Sequence, residues 1–335
     1  MDKQLLSFYD SNGAGALLQS MADNRASGKQ FHRQLSSYAK VTAQRISVRR
    51  YRLIRKKASG PEMYCTQPDD IKGIRLGAKV ATDGHIEEAV LRVQGVICKT
   101  HLPPKRKLLR GEPDTVRFMQ QSFTLTGLGS TQFETAIEGA FAVAEFLSRQ
   151  DSEMAMWRPS HVNGQLALEI GNRLFIKQNK TGSHFPAAMD SSVDPYGTLQ
   201  KAANGEYVHT EDCVVRYFRR DENEDGSISY NKAESGSFKP GDIVEAQCSF
   251  IVIPTRKGDH TMKIILRALT MLDCEFSKAA RLSMWKSIAT ASPATPSVEI
   301  KTSLRRTVGY EADAEFEDEV AYMNKKVKTM QVDSN

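Results

Sequence analysis

The chain has 335 residues, of which 40% are hydrophobic and 26% charged, with a net charge of +6. That composition excludes a wholly disordered chain and suits a globular protein with one large core or two modest ones. No run approaches the roughly 18 apolar residues of a membrane helix, so no membrane partner is expected.

The opening MDKQLLSFYD has an acid at position 2 and no long apolar run, so no secretion signal is expected. Residues 11–15, Ser-Asn-Gly-Ala-Gly, read as flexible. Residues 29–57 then predict a helix, with Phe31, Leu35, Tyr38, Thr42, Ile46 and Leu53 recurring at steps of three, four or seven. Val48–Ile54 also suits a strand. Ser59-Gly60-Pro61 ends the segment, because a residue before proline avoids the helical region. Glu87–Cys98 can hold a strand, and Leu102–Arg110 is a basic surface segment. Residues 130–149 predict a helix with Thr131 as N-cap and Glu134 completing a capping box. Its buried stripe would be Phe133, Ile137, Ala140 or Phe141, Ala144 and Leu147.

From about residue 165 the period becomes that of strands. Leu166–Ile170 and Leu174–Lys177 read as a hairpin around Gly171-Asn172. Val208–Arg219 is β-prone. Asp242–Pro254, after the turn Pro240-Gly241, and Met262–Leu272 form an expected antiparallel pair. Residues 274–291 suit a helix anchored by Phe276, Leu282, Trp285 and Ile288. The expected fold is α+β: an antiparallel β-rich domain, a sandwich or partly open barrel, with helices from the N-terminal half packed against it. The expected divisions are a basic segment (1–60), a mixed region (61–160), the β-rich domain with its helix (161–290) and an acidic tail (291–335).

Several chemistries lack their motifs. There is no HExxH, no G-x-S-x-G and no Walker A sequence, and the sequence assigns no reaction and no cofactor. Five widely spaced cysteines form no disulfide framework and no CxxC pair, which fits a reducing, intracellular setting, nucleus or cytoplasm. Asp221–Ile228 imitates a calcium loop but has Lys232 where the bidentate glutamate belongs, so an acidic turn between strands is expected. His209 and Cys213, with Glu211 and Asp212 between them, are the nearest approach to a metal or catalytic cluster, and no metal is expected there. Gly127-Leu-Gly129-Ser-Thr, before a helix, suggests either an anion site or an ordinary capped loop.

Residues 199–273 carry Gly205-Glu-Tyr-Val-His-Thr-Glu-Asp, Val215-Arg-Tyr-Phe, Phe238-Lys-Pro-Gly-Asp-Ile-Val-Glu-Ala-Gln and Leu266-Arg-Ala-Leu-Thr-Met-Leu-Asp. In these phrases the chain resembles a family of proteins from mushroom-forming (basidiomycete) fungi. The resemblance implies a fungal origin and a β-rich unit, and carries no site residues over.

Charge is the feature that leans toward function. Arg25–Lys57 holds eleven Lys or Arg residues and no acid, whereas Glu311–Glu319 holds six acids in nine positions. Lysine and arginine neutralise phosphates whatever the base sequence, and arginine pairs with them bidentately. The expected nucleic-acid contacts are Arg33, Lys40, Arg45, Arg49, Arg50, Arg52, Arg55, Lys56 and Lys57, extended by Lys105, Arg106, Lys107 and Arg110. Tyr38 and Tyr51 are candidates for stacking on bases. The alternatives are a protein-interaction or self-assembly module, pairing the basic run with an acidic partner or the chain's own tail, and an unrecognised enzyme.

Overall fold

The computed structural model describes residues 1–39, 63–66, 73–79, 85–104, 113–178, 185–256, 258–291 and 322–323. Its strands are β1 (Tyr64–Thr66), β2 (Ile74–Lys79), β3 (Ile86–Glu88), β4 (Leu91–Thr100), β5 (Gln120–Thr126), β6 (Ser160–Val162), β7 (Gln165–Arg173), β8 (Ile176–Lys177), β9 (Tyr207–Val208), β10 (Arg216–Glu222), β11 (Ile228–Lys232), β12 (Ile243–Pro254) and β13 (His260–Asp273). The helices are α1 (Lys3–Leu6), α2 (Ser11–Ser27), α3 (Thr131–Ser148), α4 (Thr198–Ala203) and α5 (Glu275–Ala291).

The fold is α+β, and its centre is a closed ring of five strands. β4 pairs with β5, β5 with β7, β7 with β13, β13 with β12, and β12 with β4. Numbered by chain order within the ring, the strands run 1-2-3-5-4. All contacts are antiparallel except the closure of β7 on β13, which is parallel and centred on Gly171 and Ile265. β2 extends the sheet beside β12 and carries β1 and β3, while β10 and β11 extend it beside β13. The boundary expected at residue 160 therefore falls inside one sheet, because strands from 64–126 and 165–273 interleave in it. Residues 1–288 form one unit, and a second begins at Ala289, close to the expected start of the tail.

The strand pattern explains the core. On β12, Val244, Ala246, Cys248, Phe250 and Val252 alternate into the main core, as the two-residue period requires. On β13 the core residues step Met262, Ile264, Leu266 and then Leu269, Met271. The three-residue step marks a bulge, where Gln247 opposes Ala268 and Cys248 opposes Leu266, leaving Arg267 unpaired in register. A smaller core, with Leu5, Tyr9, Ala14, Leu18 and Ala280, packs on Val96 and Ile243 from the opposite face of β4 and β12. Fully burying a leucine or phenylalanine contributes about 1.5–3 kcal/mol, so these two faces dominate the stability.

Four expectations need correction. Residues 11–15 are not flexible: Asp10 caps α2, its Oδ1 accepting from the Gly13 amide at 2.9 Å. The helix expected over 29–57 is absent from its described part, which forms short 3-10 turns at Phe31–Arg33 and Leu35–Tyr38; residues 40–57 lie outside the described residues. The Gly171-Asn172 hairpin does not exist, because β7 runs straight through it. A Cβ at Gly171 would lie 2.6 Å from Ser122 Cβ, so glycine lets β5 and β7 close there. The real hairpin joins β6 to β7 through Asn163-Gly164, both with positive φ (50° and 79°), the geometry of a two-residue primed turn. Lastly, α5 turns Ser277 and Ala280 inward, and three of its four expected anchors, Leu282, Trp285 and Ile288, face out.

α3 is present as expected, and Ala140 rather than Phe141 belongs to its buried stripe. Its N-cap is Ser130, one residue early. The cap is tertiary: Gln19 Oε1, on α2, accepts from Ser130 Oγ at 2.8 Å and from the Thr131 amide at 3.0 Å.

Candidate functional site

The described basic residues divide into paired and unpaired groups. Arg25 belongs to the basic run but is occupied: its Nε lies 2.8 Å from Glu245 Oε2, a carboxylate buried on β12. Gln94 Nε2 donates to the same oxygen at 2.6 Å, and Arg92 stands 3.9 Å from the other. Arg75 and Arg267 converge on Glu88 and Asp212. Arg75 contacts both Asp212 oxygens at 3.0 Å, and Arg267 donates to Glu88 at 2.8 Å and to Asp212 at 2.9 Å. The β13 bulge aims Arg267 at this cluster. Burial alone would raise the Asp212 pKa, but the two guanidiniums outweigh it and hold the carboxyl below its usual range. Two cations and two anions cancel, and the network ties β2, β3 and β13 to the turn at Glu211–Cys213.

The His209–Cys213 segment does not form a catalytic cluster. Asp212 is consumed by the arginines, and His209 Nδ1 sits 2.8 Å from the Leu174 carbonyl. Cys213 is buried against Thr210, and burial raises its thiol pKa. Glu211 is exposed beside Arg216 at 3.8 Å. A cleft of about 450 Å³ opens beside His209, lined by Gln121, Met189, Val193, Tyr217 and Lys232. In it, Tyr217 donates to Gln121 at 2.9 Å and Lys232 pairs with Asp190 at 2.5 Å. Burial raises the Tyr217 pKa, so the phenol stays protonated. Among the described residues no serine or cysteine is hydrogen-bonded to a histidine in this cleft. Among the described residues no group of three or more His, Cys, Asp or Glu could hold a metal.

Two other sequence candidates resolve as structural features. Asp221–Ile228 forms the turn of the β10–β11 hairpin, with Asp225 Oδ1 accepting from the Ser227 amide at 2.9 Å. The N-terminus of α3 is filled by Gln19 rather than open to an anion.

Other exposed cations have no carboxylate partner among the described residues, and they are spread over several elements, Lys3, Lys99, Lys201 and Lys263 among them. Lys29 and Arg33 are exposed, and among the described residues neither has a carboxylate partner. Lys40, Arg45, Arg49, Arg50, Arg52, Arg55, Lys56 and Lys57 lie outside the described residues, as do Lys105, Arg106, Lys107, Arg110 and Tyr51. Tyr38 cannot stack on a base: it is 2% exposed, and burial pushes its phenol pKa up to about 12. In chain order, 105–110 belong to the β4–β5 connection, residues 101–119, and the described end of that connection carries a feature that sequence reading missed. Phe118 is 60% exposed, with Arg117 Cζ 5.8 Å and Arg256 Cζ 5.4 Å from its ring centroid. Arg256 comes from the β12–β13 connection, residues 255–259, so two loops of the barrel meet at this ring. Arg173 is exposed at the end of β7, where the Leu174 amide donates to the Met119 carbonyl at 2.9 Å. Among the described residues none of these three arginines has a carboxylate partner. The sequence signal was Arg117-Phe118, a cation beside an aromatic, but Arg256 reaches it only through the fold.

No protein-family model matches the chain, and no curated protein matches it. No described helix is long and apolar enough to cross a membrane.

Proposed function

We propose that this protein binds nucleic acid through its phosphate backbone, using the basic 25–57 segment, apart from Arg25, and the 105–110 cluster. The observation that carries the reading is the acid-free basic run Arg25–Lys57. Arg25, Arg75, Arg267 and Arg281 are matched by carboxylates, whereas Lys29, Arg33, Arg117, Arg173 and Arg256 are exposed without one among the described residues. Unmatched surface cations attract a polyanion, and releasing its counterions drives binding.

The barrel supports the reading by analogy. Five-stranded Greek-key barrels of the oligonucleotide-binding kind present the face of their second and third strands, flanked by the 1–2 and 4–5 loops. In this ring those strands are β5 and β7, and those loops are 101–119 and 255–259. The first loop holds Lys105, Arg106, Lys107 and Arg110 in sequence, and the second holds Arg256. Fold analogy alone does not assign function, so the charge pattern leads.

The test is a fluorescence-anisotropy titration against DNA and RNA at several salt concentrations. Log affinity should fall linearly with log salt, with a slope of about −0.7 to −0.9 for each phosphate contacted. Exchanging Lys105, Arg106, Lys107 and Arg110 for alanine should flatten that slope. Affinity that does not change with salt would refute the backbone reading, and absence of binding at low salt would move the basic run to an acidic protein partner.

A further inference from the structure

We infer that Phe118 is a stacking platform for an unpaired base and that the nucleic acid taken is therefore single-stranded. The inference rests on the backbone-binding reading and adds to it what the ligand's bases do.

Phe118 is a ring in an unfavourable place. A largely exposed phenylalanine forgoes most of the stabilisation that burial would bring. Phe118 has core directly before it: Val116 is buried in the main cluster, while Phe118 points out. Two guanidiniums from different loops stand within 6 Å of its centroid, at 5.4 and 5.8 Å. Cation–π attraction holds each to the ring, yet leaves much of the ring in water. Like charges drawn to one ring repel each other, and among the described residues no carboxylate offsets them. An anion placed between them would relieve that repulsion, and the apolar face beside them would still lack a cover.

One ligand class supplies both. A single strand offers a phosphate and, one sugar away, the flat face of a base. Aromatic side chains set among basic residues capture such strands whatever their sequence, because every base has a π-face. A duplex cannot use the ring in this way, since its bases are already stacked on one another. Position agrees with the chemistry. Phe118 lies where the 101–119 and 255–259 connections meet, and two residues before Gln120, the register partner of exposed Arg173.

The experiment compares the full chain with Phe118→Ala and Phe118→Trp, using labelled oligo-dT, oligo-U and a mixed-sequence duplex. Phe118 is exposed, so both variants should keep the wild-type circular dichroism and melting temperature. Single strands should bind the wild type more tightly than the duplex. Phe118→Ala should weaken single-strand binding roughly ten- to a hundredfold while leaving the salt slope and duplex affinity unchanged. Phe118→Trp should retain binding, with its indole fluorescence quenched on saturation. Salt-dependent binding that is indifferent to Phe118→Ala, or that favours the duplex, overturns the stacking inference and leaves backbone binding standing. If the wild type binds no probe at low salt, both readings fall together.

Discussion

Arg25 and Glu245 stand 220 residues apart in sequence and meet at the surface of the barrel, with Nε and Oε2 separated by 2.8 Å. The contact fastens the end of α2 to the start of β12. Glu245 is buried and Arg25 is its nearest cation, with Gln94 donating to it at 2.6 Å and Arg92 3.9 Å away. Arg25→Ala should destabilise the fold by about 3 kcal/mol, since removing one partner strands a buried charge. Arg25→Met with Glu245→Leu should recover most of that loss. Urea denaturation of the three variants measures both effects. Nucleic-acid affinity of folded Arg25→Ala should match the wild type, because this arginine is not free to meet a phosphate.

Two aspartates, Asp212 half-buried and Asp242 buried, should give stability opposite dependences on pH. Asp212 has its pKa held below the ordinary value of about 3.9, so the unfolded chain binds its proton more readily. Its contribution is complete above that value and is lost as pH falls through the folded pKa. Asp242, buried against Ser277 and Arg281, has its pKa raised, chiefly by burial. Its ionised form costs stability near neutrality, and that cost is relieved as pH falls through the raised value. Melting temperature should therefore climb on mild acidification and fall on stronger acidification. Asp242→Asn should flatten the climb and Asp212→Asn the fall.

Glycines in two helices should respond with opposite signs. A Cβ on Gly139 of α3 would lie 2.1 Å from the Leu35 carbonyl oxygen, a backbone atom held by the buried 35–38 turn. Gly139→Ala should cost about 1–3 kcal/mol through overpacking. At Gly15 of α2 the nearest atom would be 3.4 Å away, and alanine is the better helix former. Gly15→Ala should gain about 0.5–1 kcal/mol. Denaturation midpoints at constant slope measure both changes.

Thiol reactivity should report opening of the barrel. Cys248 is buried on β12, and burial pushes its pKa up to about 12, while Cys65 rises to about 11. The thiolate is the reactive form, so neither should react quickly with a disulfide reagent at neutral pH. Cys248 should be modified only as fast as the barrel opens, and mild urea should accelerate it in step with the loss of stability. Rapid labelling of native Cys248 would contradict its buried placement.

The sequence was most legible where one short segment decides its own structure. β12, β13 and α3 carry long, regular apolar patterns, and each forms as expected. α2 escaped notice because it buries only Ala14, Leu18 and Ala22, two of them too small to stand out against its glycines. α5 misled in the reverse way, since its large apolar residues face outward and a small Ser277/Ala280 face makes the close approach. The Asn163-Gly164 turn was readable from the dipeptide alone, whereas Gly171-Asn172 looked like a turn and serves strand crossing instead. The site was least legible. The basic run is plain in sequence, but nothing local separates Arg25, which is paired, from Arg33, which has no carboxylate partner among the described residues. Only tertiary structure brings Arg256 to Phe118.

The order of strands in the ring also sets a schedule for a chain leaving the ribosome. The β4–β5–β7 meander is complete once residue 173 has emerged, but both of its edges wait for β12 and β13, which end about 100 residues later. At about 5–20 residues per second that wait lasts roughly 5–20 s. For that time the nascent meander offers the β4 edge and the part of the β7 edge that β6 does not cover, each a template for another chain. Slowing translation beyond residue 173 should lengthen the exposure and increase aggregation of the newly made protein, and a chaperone that shields strand edges should reverse it.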